Sequence, residues 1–112
     1  MKKCVLTRTG QVLASEIEMA NTYFTRLKGL MFRRGFAEGK ALILDPCPQI
    51  HTCFMRFELD AVFCAPDGTV LHVVEKMKPW RFSKFVRGAR YTLEFAGGTL
   101  QNSVHPGDKI LF

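Results

Sequence analysis

The segment from His51 to Phe63, HTCFMRFELDAVF, constrains the fold more than any other part of this 112-residue chain. Apolar and polar residues alternate along it: the apolar positions are Met55, Phe57, Leu59, Ala61 and Phe63, and the polar positions between them are Arg56, Glu58 and Asp60. Period two over this length predicts a half-buried β-strand rather than a helix. His51 and Thr52 lie at the entrance of that strand, where side chains from a loop can converge on a ligand.

Length and composition restrict the class of protein. A chain of 112 residues, of which 47% are hydrophobic, predicts a single domain spanning residues 1–112. No run approaches the roughly 18 apolar residues that cross a bilayer. The opening residues, MKKCVLTRTG, lack the apolar core of a signal peptide. We therefore predict no transmembrane segment and a cytoplasmic location.

Charge and cysteine content add two expectations. The net charge of +6 suits anionic partners, but it also keeps a small domain soluble, and we favour the second interpretation. The four cysteines, Cys4, Cys47, Cys53 and Cys64, form no CxxC pair. Free and mostly buried thiols in a reducing compartment are therefore expected.

One principal amphipathic helix is predicted, capped by Asn21 or Thr22 and ended by Gly35. Its apolar stripe has spacings of three and four residues, at Tyr23, Phe24, Leu27, Leu30 and Met31. Gly29 falls inside the predicted helix, which indicates close approach of another backbone.

Short strands and turns fill the rest of the chain. Besides the run that ends near Cys64, strands are predicted over residues 2–7, 11–17, 41–44, 69–75, 91–95 and 109–112. The turn Ala65-Pro66-Asp67-Gly68 predicts a hairpin over residues 57–75. Six or seven short strands with one helix predict a compact, β-rich α+β domain.

Five segments together resemble a known family: ANTYFTRLKGLMFR (20–33), HTCFMRFELDAVF (51–63), DGTVLHVVEKMKPWR (67–81), ARYTLEFAGG (89–98) and HPGDKI (105–110). In this order they resemble the small bacterial and archaeal domain of unknown function 192. The resemblance covers nearly the whole chain. The five segments are specific for the family when they occur together, whereas each one alone would be weak evidence. It implies a barrel-like domain with one principal helix and no established activity. Family members often carry an export signal, which is not seen here, and often have proline where this chain has Glu58.

A ligand-binding site is predicted around the His51–Asp60 segment. Its candidate residues are His51, Thr52, Asp60, Arg26, Met31 and Trp80. A histidine, a hydroxyl and a carboxylate near one strand entrance could orient a small polar ligand. The alternative is structural: Thr52 and Asp60 bind loop backbone, and Asp60 pairs with Arg26 or Arg33.

A metal site is considered and not favoured. Cys47, His51 and Cys53 form CxxxHxC, which Cys64 or His72 could complete, but this spacing matches no common zinc motif. We predict no bound metal and no cofactor.

The loop of residues 76–90, KMKPWRFSKFVRGAR, supports a second hypothesis. Cations interleaved with aromatic residues suit single-stranded nucleic acid or an anionic surface. The candidates for that role are Lys78, Trp80, Arg81, Lys84, Arg87 and Arg90. We favour the simpler interpretation, in which Trp80 inserts into the core and the charges face water.

No catalytic signature is present: the sequence lacks GxSxG, a P-loop, HExxH and a dinucleotide fingerprint. An enzyme is therefore the least supported class, and no catalytic residue is predicted. The favoured function is non-enzymatic binding of an unknown small molecule or protein, and nucleic-acid binding is the alternative. A closed pocket holding His51 would favour the first, whereas an exposed basic face with an unsheltered Trp80 would favour the second.

Overall fold

The structure, a computed structural model, describes residues 3–112 as eight short strands and one short helix. In chain order they are β1 Cys4–Leu6, β2 Gln11–Ala14, β3 Glu16–Ala20, α1 Tyr23–Lys28, β4 Lys40–Leu44, β5 Leu59–Cys64, β6 Val70–Met77, β7 Tyr91–Ala96 and β8 Ile110–Leu111. The predicted α+β class, rich in β structure, is confirmed. The described strands exceed six or seven because the predicted strand 11–17 is two strands, divided at Ser15. Lys2, the first residue of the predicted strand 2–7, lies outside the described residues.

The strands form two sheets that make a barrel-like body without closing into a barrel. One sheet has the order β2-β1-β8, and the other has the order β3-β4-β7-β5-β6. Within the larger sheet β3 and β4 are parallel, and the remaining pairs are antiparallel. A parallel pair needs a long crossover. Here α1 and the loop that follows it, residues 29–39, provide that crossover.

Both faces of the five-stranded sheet are covered by apolar side chains. On β7, Leu93 and Phe95 belong to a first core, which also contains Leu6 of β1 and Ile110 of β8. This core therefore lies between the two sheets. The opposite face supports a second core, formed with the segments between β4 and β5 and after β6.

The central prediction of a half-buried strand from His51 to Phe63 is wrong in extent and in burial. The strand begins only at Leu59, and all six residues of β5 are buried because the sheet is covered on both sides. Residues 52–58 form a loop in which Phe54 has a φ of 63°. The apolar members of the pattern still lie in or against the second core, at Met55, Phe57, Leu59, Ala61 and Phe63. The pattern therefore identified the apolar positions that contact the core, but neither the backbone conformation of residues 52–58 nor the burial of both faces of β5.

The predicted helix is also shorter than expected. Thr22 caps it, because its Oγ1 accepts a hydrogen bond from the backbone N–H of Thr25 at 3.2 Å. Gly29, with a φ of 46°, ends it after one and a half turns or so. Gly29 is thus the C-terminal cap and not a mid-helix contact point. None of the residues of α1 is buried, and Leu30, which is buried, lies in the turn after it.

The predicted hairpin is confirmed. β5 and β6 pair in antiparallel fashion, and the Gly68 N–H donates to the Ala65 carbonyl at 2.9 Å across the turn. Gly68 has a φ of 89°, which glycine adopts without the steric cost that other residues bear.

Candidate ligand-binding cavity

A cavity of about 270 Å³ lies on the second face of the five-stranded sheet. Its walls come from α1 and the turn after it, from the loop of residues 46–51, and from Leu44 and Met55. Glu94 of β7 also lines it. The pairing of Glu94 within the sheet shows that its side chain lies on this second face. Glu94 pairs with Leu42 of β4 and with Ala61 of β5, and both of these residues belong to the second core. The cavity thus lies between β7 on one side and α1 with the turn after it on the other.

Glu94 carries the one buried side-chain N or O atom of residues 3–112 that lacks a hydrogen-bond partner. It is 3% exposed, and its Oε1 has no hydrogen-bond partner among residues 3–112. Burial raises the pKa of Glu94 to about 8, against a smaller opposing effect of the Arg33 charge. The side chain is therefore largely protonated at neutral pH, and a carboxylic acid can both donate and accept a hydrogen bond. A buried polar atom without a partner costs free energy, so this atom is available to a ligand group.

Sequence reasoning did not include Glu94 among the site residues. The signal that could have found it is an acidic residue at the centre of YTLEFA, a strand that is otherwise suited to burial.

Hydrogen bonds hold the loop that forms one wall. The Thr92 hydroxyl donates to the Cys47 carbonyl at 2.6 Å, and the Cys47 N–H donates to the Arg90 carbonyl at 2.8 Å. Further along, the Ile50 N–H donates to Ser83 Oγ at 3.0 Å, and the Ser83 N–H donates back to the Ile50 carbonyl at 2.9 Å. The wall is therefore preformed, as is usual for small-molecule sites.

Three of the six predicted ligand-binding residues, Arg26, Met31 and His51, line this one cavity. Arg26 is oriented by two backbone carbonyls, because its Nη1 donates to Asn21 at 3.4 Å and to Asp45 at 3.3 Å. His51 Nδ1 accepts a hydrogen bond from the Cys53 N–H at 3.2 Å. Its Nε2 therefore carries the proton of the neutral ring.

Thr52 is placed elsewhere. It is fully buried, and its hydroxyl donates to the Lys78 carbonyl at 2.6 Å and accepts from the Arg81 N–H at 2.8 Å. It is not among the residues that line the cavity. Its contacts fit the structural alternative, in which Thr52 binds the backbone of a neighbouring loop.

Asp60 is likewise outside the cavity lining and bound to backbone. Its Oδ1 accepts from the N–H groups of Lys76 at 2.8 Å and Gly98 at 3.2 Å, and its Oδ2 accepts from Leu100 at 2.9 Å. The expected pairing of Asp60 with a helix arginine is wrong, because the backbone N–H groups already occupy both carboxylate oxygens. Arg33 instead forms an ion pair with Glu18 at 3.0 Å.

The expectation that Trp80 inserts into the core is wrong. Trp80 is 57% exposed, and its ring lies against Phe54 with the centroids 4.7 Å apart. The loop before it is pinned through Thr52, and a φ of 63° turns the side chain outward. The cations proposed for nucleic-acid binding are all exposed, at Lys78, Arg81, Lys84, Arg87 and Arg90. Arg90 forms an ion pair with Asp45 at 3.0 Å.

All four cysteines lie within residues 3–112, and all four are free thiols. Burial raises the pKa of both Cys4 and Cys64 to about 12. Cys47 lines the cavity, its thiol donates to the Gln49 carbonyl at 3.1 Å, and burial raises its pKa as well. Over residues 3–112, no group of three or more His, Cys, Asp or Glu side chains is placed to hold a metal ion.

Comparison with known proteins identifies relatives of this chain. A model of the family described as uncharacterized ACR, domain of unknown function 192, matches residues 4–112. A UPF0127 protein of Pyrococcus furiosus is 28% identical over 109 residues, which is 90% of each chain. A UPF0127 protein of Thermococcus sibiricus is 28% identical over 106 residues, covering 90% of this chain and 68% of the relative.

Two solved structures have the same fold. A protein described as a putative transcription regulator from Sinorhizobium meliloti has a TM-score of 0.81 at 25% identity, covering 97% of this chain and 89% of that one. A protein of unknown function from Novosphingobium aromaticivorans has a TM-score of 0.78 at 24% identity, covering 86% and 74%. The described residues include no helix of sufficient length and apolarity to cross a membrane.

Proposed function

The chain belongs to the domain of unknown function 192 family, and we propose that it is a non-enzymatic domain that binds a small ligand in the cavity at Glu94. The observation that carries this proposal is the buried Oε1 of Glu94, which has no partner among the described residues and lines a preformed cavity. A structural carboxyl group would be expected to have partners, as Asp60 has. A ligand that hydrogen-bonds to Glu94 would supply the missing partner.

The cavity restricts the size and character of that ligand. Its volume of about 270 Å³ is close to the lower end of the range for small-molecule sites. Its apolar wall is formed by Leu30, Leu44, Ile50 and Met55. We therefore propose a small compound with an apolar body and one group that exchanges hydrogen bonds with Glu94.

The two cationic residues of the lining favour a ligand with a neutral or anionic group. Arg26 and Lys28 both line the cavity. A cationic ligand group next to them would be repelled, whereas a carboxylate or phosphate would be attracted.

Binding rather than catalysis is supported by the state of Cys47, the cysteine that lines the cavity together with His51. The raised pKa of Cys47 keeps it protonated, and the thiol is the weak nucleophile of the two forms. His51 accepts a hydrogen bond from Cys53 at the nitrogen that would otherwise be free to act as a base. Cys47 and His51 are therefore unsuited to act as a catalytic pair.

A thermal-shift screen of small neutral and anionic compounds tests the proposal. A true ligand present at 100 times its dissociation constant stabilises the folded protein by about 2.7 kcal/mol. We expect the hits to stabilise the wild type, and to stabilise Glu94→Gln by clearly less. Glu58→Gln, which alters an exposed carboxylate in the loop before β5, is the matched control and should respond as the wild type does.

Two results would contradict the proposal. One is a screen in which no compound stabilises the wild type. The other is a set of hits that stabilises the wild type and Glu94→Gln equally, because the carboxyl group would then play no part in recognition.

A further inference from the structure

Three exposed aromatic residues from three separate segments meet on one surface. Phe54 is central: its ring centroid lies 5.4 Å from that of Phe32 and 4.7 Å from that of Trp80. Phe32 is 58% exposed, Phe54 is 48% exposed and Trp80 is 57% exposed. None of them lines the cavity. We call these three residues the aromatic triad.

The backbone of the triad is held in an unfavourable conformation. The φ angles are 65° at Phe32, 63° at Phe54 and 63° at Trp80, a region that large side chains rarely adopt. Backbone hydrogen bonds maintain it, from the Phe32 N–H to the Phe54 carbonyl at 3.1 Å and from the Trp80 N–H to the Thr52 carbonyl at 3.0 Å. Such strain is concentrated at functional sites, because it persists only where the surrounding fold enforces it.

The segments that carry the triad are strongly cationic. Residues 30–34, 52–56 and 78–85 contain six cations and no acidic residue: Arg33, Arg34, Arg56, Lys78, Arg81 and Lys84. Among the described residues, Arg33 is the one of these six that has a carboxylate partner. The surface therefore offers positive charge to a partner from outside the chain.

We propose that the aromatic triad and its surrounding cations bind single-stranded nucleic acid, with bases stacked on the rings and phosphates on the cations. Every base has a π-face, so rings of this kind recognise a strand without regard to sequence. The order Lys78, Trp80, Arg81, Phe82, Lys84, Phe85 alternates charges with rings, as bases and phosphates alternate along a strand. A lipid surface suits this order less well, because inserting the rings would drag the intervening cations out of water.

Trp80 provides a direct readout, because it is the only tryptophan of the chain. The experiment is a titration of the full-length protein with an oligothymidylate longer than about 16 nucleotides, followed by tryptophan fluorescence at low salt. We expect saturable quenching as bases stack on Trp80. The apparent affinity should fall steeply as salt is raised, because binding releases counterions from the phosphates.

Substitutions then locate the interaction by fluorescence anisotropy of a labelled oligothymidylate. Trp80→Ala and Phe54→Ala should each weaken binding roughly 5- to 150-fold. Trp80→Phe keeps a stacking ring and should retain most of the affinity. Phe24→Ala is the matched control, because Phe24 is 78% exposed but its ring contacts Tyr23 instead of the triad. Circular dichroism melts establish that each variant is folded.

Three outcomes would overturn the proposal. The first is no binding of the oligothymidylate by the wild type at low salt. The second is equal loss of affinity in Phe24→Ala and Trp80→Ala, which would indicate non-specific apolar contact. The third is quenching of Trp80 by vesicles of phosphatidylserine and phosphatidylcholine without any quenching by the oligonucleotide.

Discussion

Two buried carboxyl groups of this protein have opposite surroundings. Asp60 is fully buried and accepts hydrogen bonds from three backbone N–H groups, so both of its oxygens have partners. Glu94 is nearly as buried, but its Oε1 has no partner in residues 3–112. The contrast separates a carboxylate that is bonded to the backbone of the fold from a carboxyl group with a buried oxygen that lacks a partner, as the proposed ligand site requires.

The raised pKa of Glu94 predicts a specific dependence of stability on pH. The ordinary value of 4.5 applies to the unfolded chain and about 8 to the folded protein, so between them the folded state holds a proton that the unfolded state has lost. Stability should therefore decrease as pH rises from about 4.5 to about 8. Thermal melts across this window measure the effect, and Glu94→Gln should remove most of it. Equal pH dependence in both proteins would contradict the assignment.

Asp60 predicts a large loss of stability on truncation. Asp60→Ala leaves three buried N–H groups without an acceptor, and each such group costs about 1–3 kcal/mol. We expect urea denaturation to show a loss of at least about 3 kcal/mol. Glu58→Ala, an exposed neighbour, should change the free energy of unfolding by no more than about 0.5 kcal/mol. A small effect of Asp60→Ala would show that these hydrogen bonds are unimportant for folding.

The sequence identified these residues unevenly. A carboxylate in an apolar run is visible as a pattern, and this was enough to single out Asp60. Whether it meets backbone donors depends on β6 and on residues 98–100, which are distant in sequence. For Glu94 the missing information was the reverse, namely that its Oε1 meets no hydrogen-bond partner among residues 3–112.

Among the helix and the strands, hydrophobic periodicity predicted buried side chains correctly only for segments that pack against one of the two cores. The apolar stripe predicted an amphipathic helix that reaches Gly35 and buries one face, yet Tyr23, Phe24 and Leu27 are more than half exposed. The capping threonine and the glycine set the limits of α1 locally. Apolar character alone could not show that the helix would stop early and leave a cavity between itself and β7.

The two halves of the predicted stripe should therefore respond differently to substitution. Leu30→Ala removes a side chain that is 1% exposed and should destabilise the protein by about 2–5 kcal/mol. Phe24→Ser alters a side chain that is 78% exposed and should change stability by no more than about 0.5 kcal/mol. Urea denaturation of the two variants tests this, and similar losses would mean that α1 packs more closely than described.

Across the whole molecule, the two ends of the described chain lie side by side. β1 pairs with β8, and the Arg8 guanidinium bonds to the Asp108 carboxylate at 2.8 Å. That contact, together with a hydrogen bond from the His105 N–H, lowers the pKa of Asp108 to about 2. The hairpin β5–β6 could be predicted because its turn is local. The order of strands in the two sheets could not, since it depends on pairings between residues far apart in the chain.

Gly68, in the hairpin turn, packs directly against the backbone of β8 and should therefore tolerate no side chain. Gly68 and Gly107 both have positive φ angles, 89° and 94°, so alanine is strained at either position. At Gly68 a Cβ would also collide with the backbone carbonyl of Ile110, whereas at Gly107 it would meet open space. Gly107→Ala should cost about 1–2 kcal/mol and Gly68→Ala about 3 kcal/mol or more. Thermal denaturation distinguishes them, and equal losses would contradict the close approach of β8.

The claim that Glu94 serves a ligand and not the fold is tested most directly by the free energy of unfolding of Glu94→Met, measured in urea at neutral pH. Methionine is similar in length and has no buried oxygen that lacks a partner. If Glu94 is unpartnered, the substitution should stabilise the protein by about 1–3 kcal/mol, the cost of burying the unsatisfied group. A loss of stability of similar size would show that Glu94 makes structural hydrogen bonds, and would contradict the proposed site.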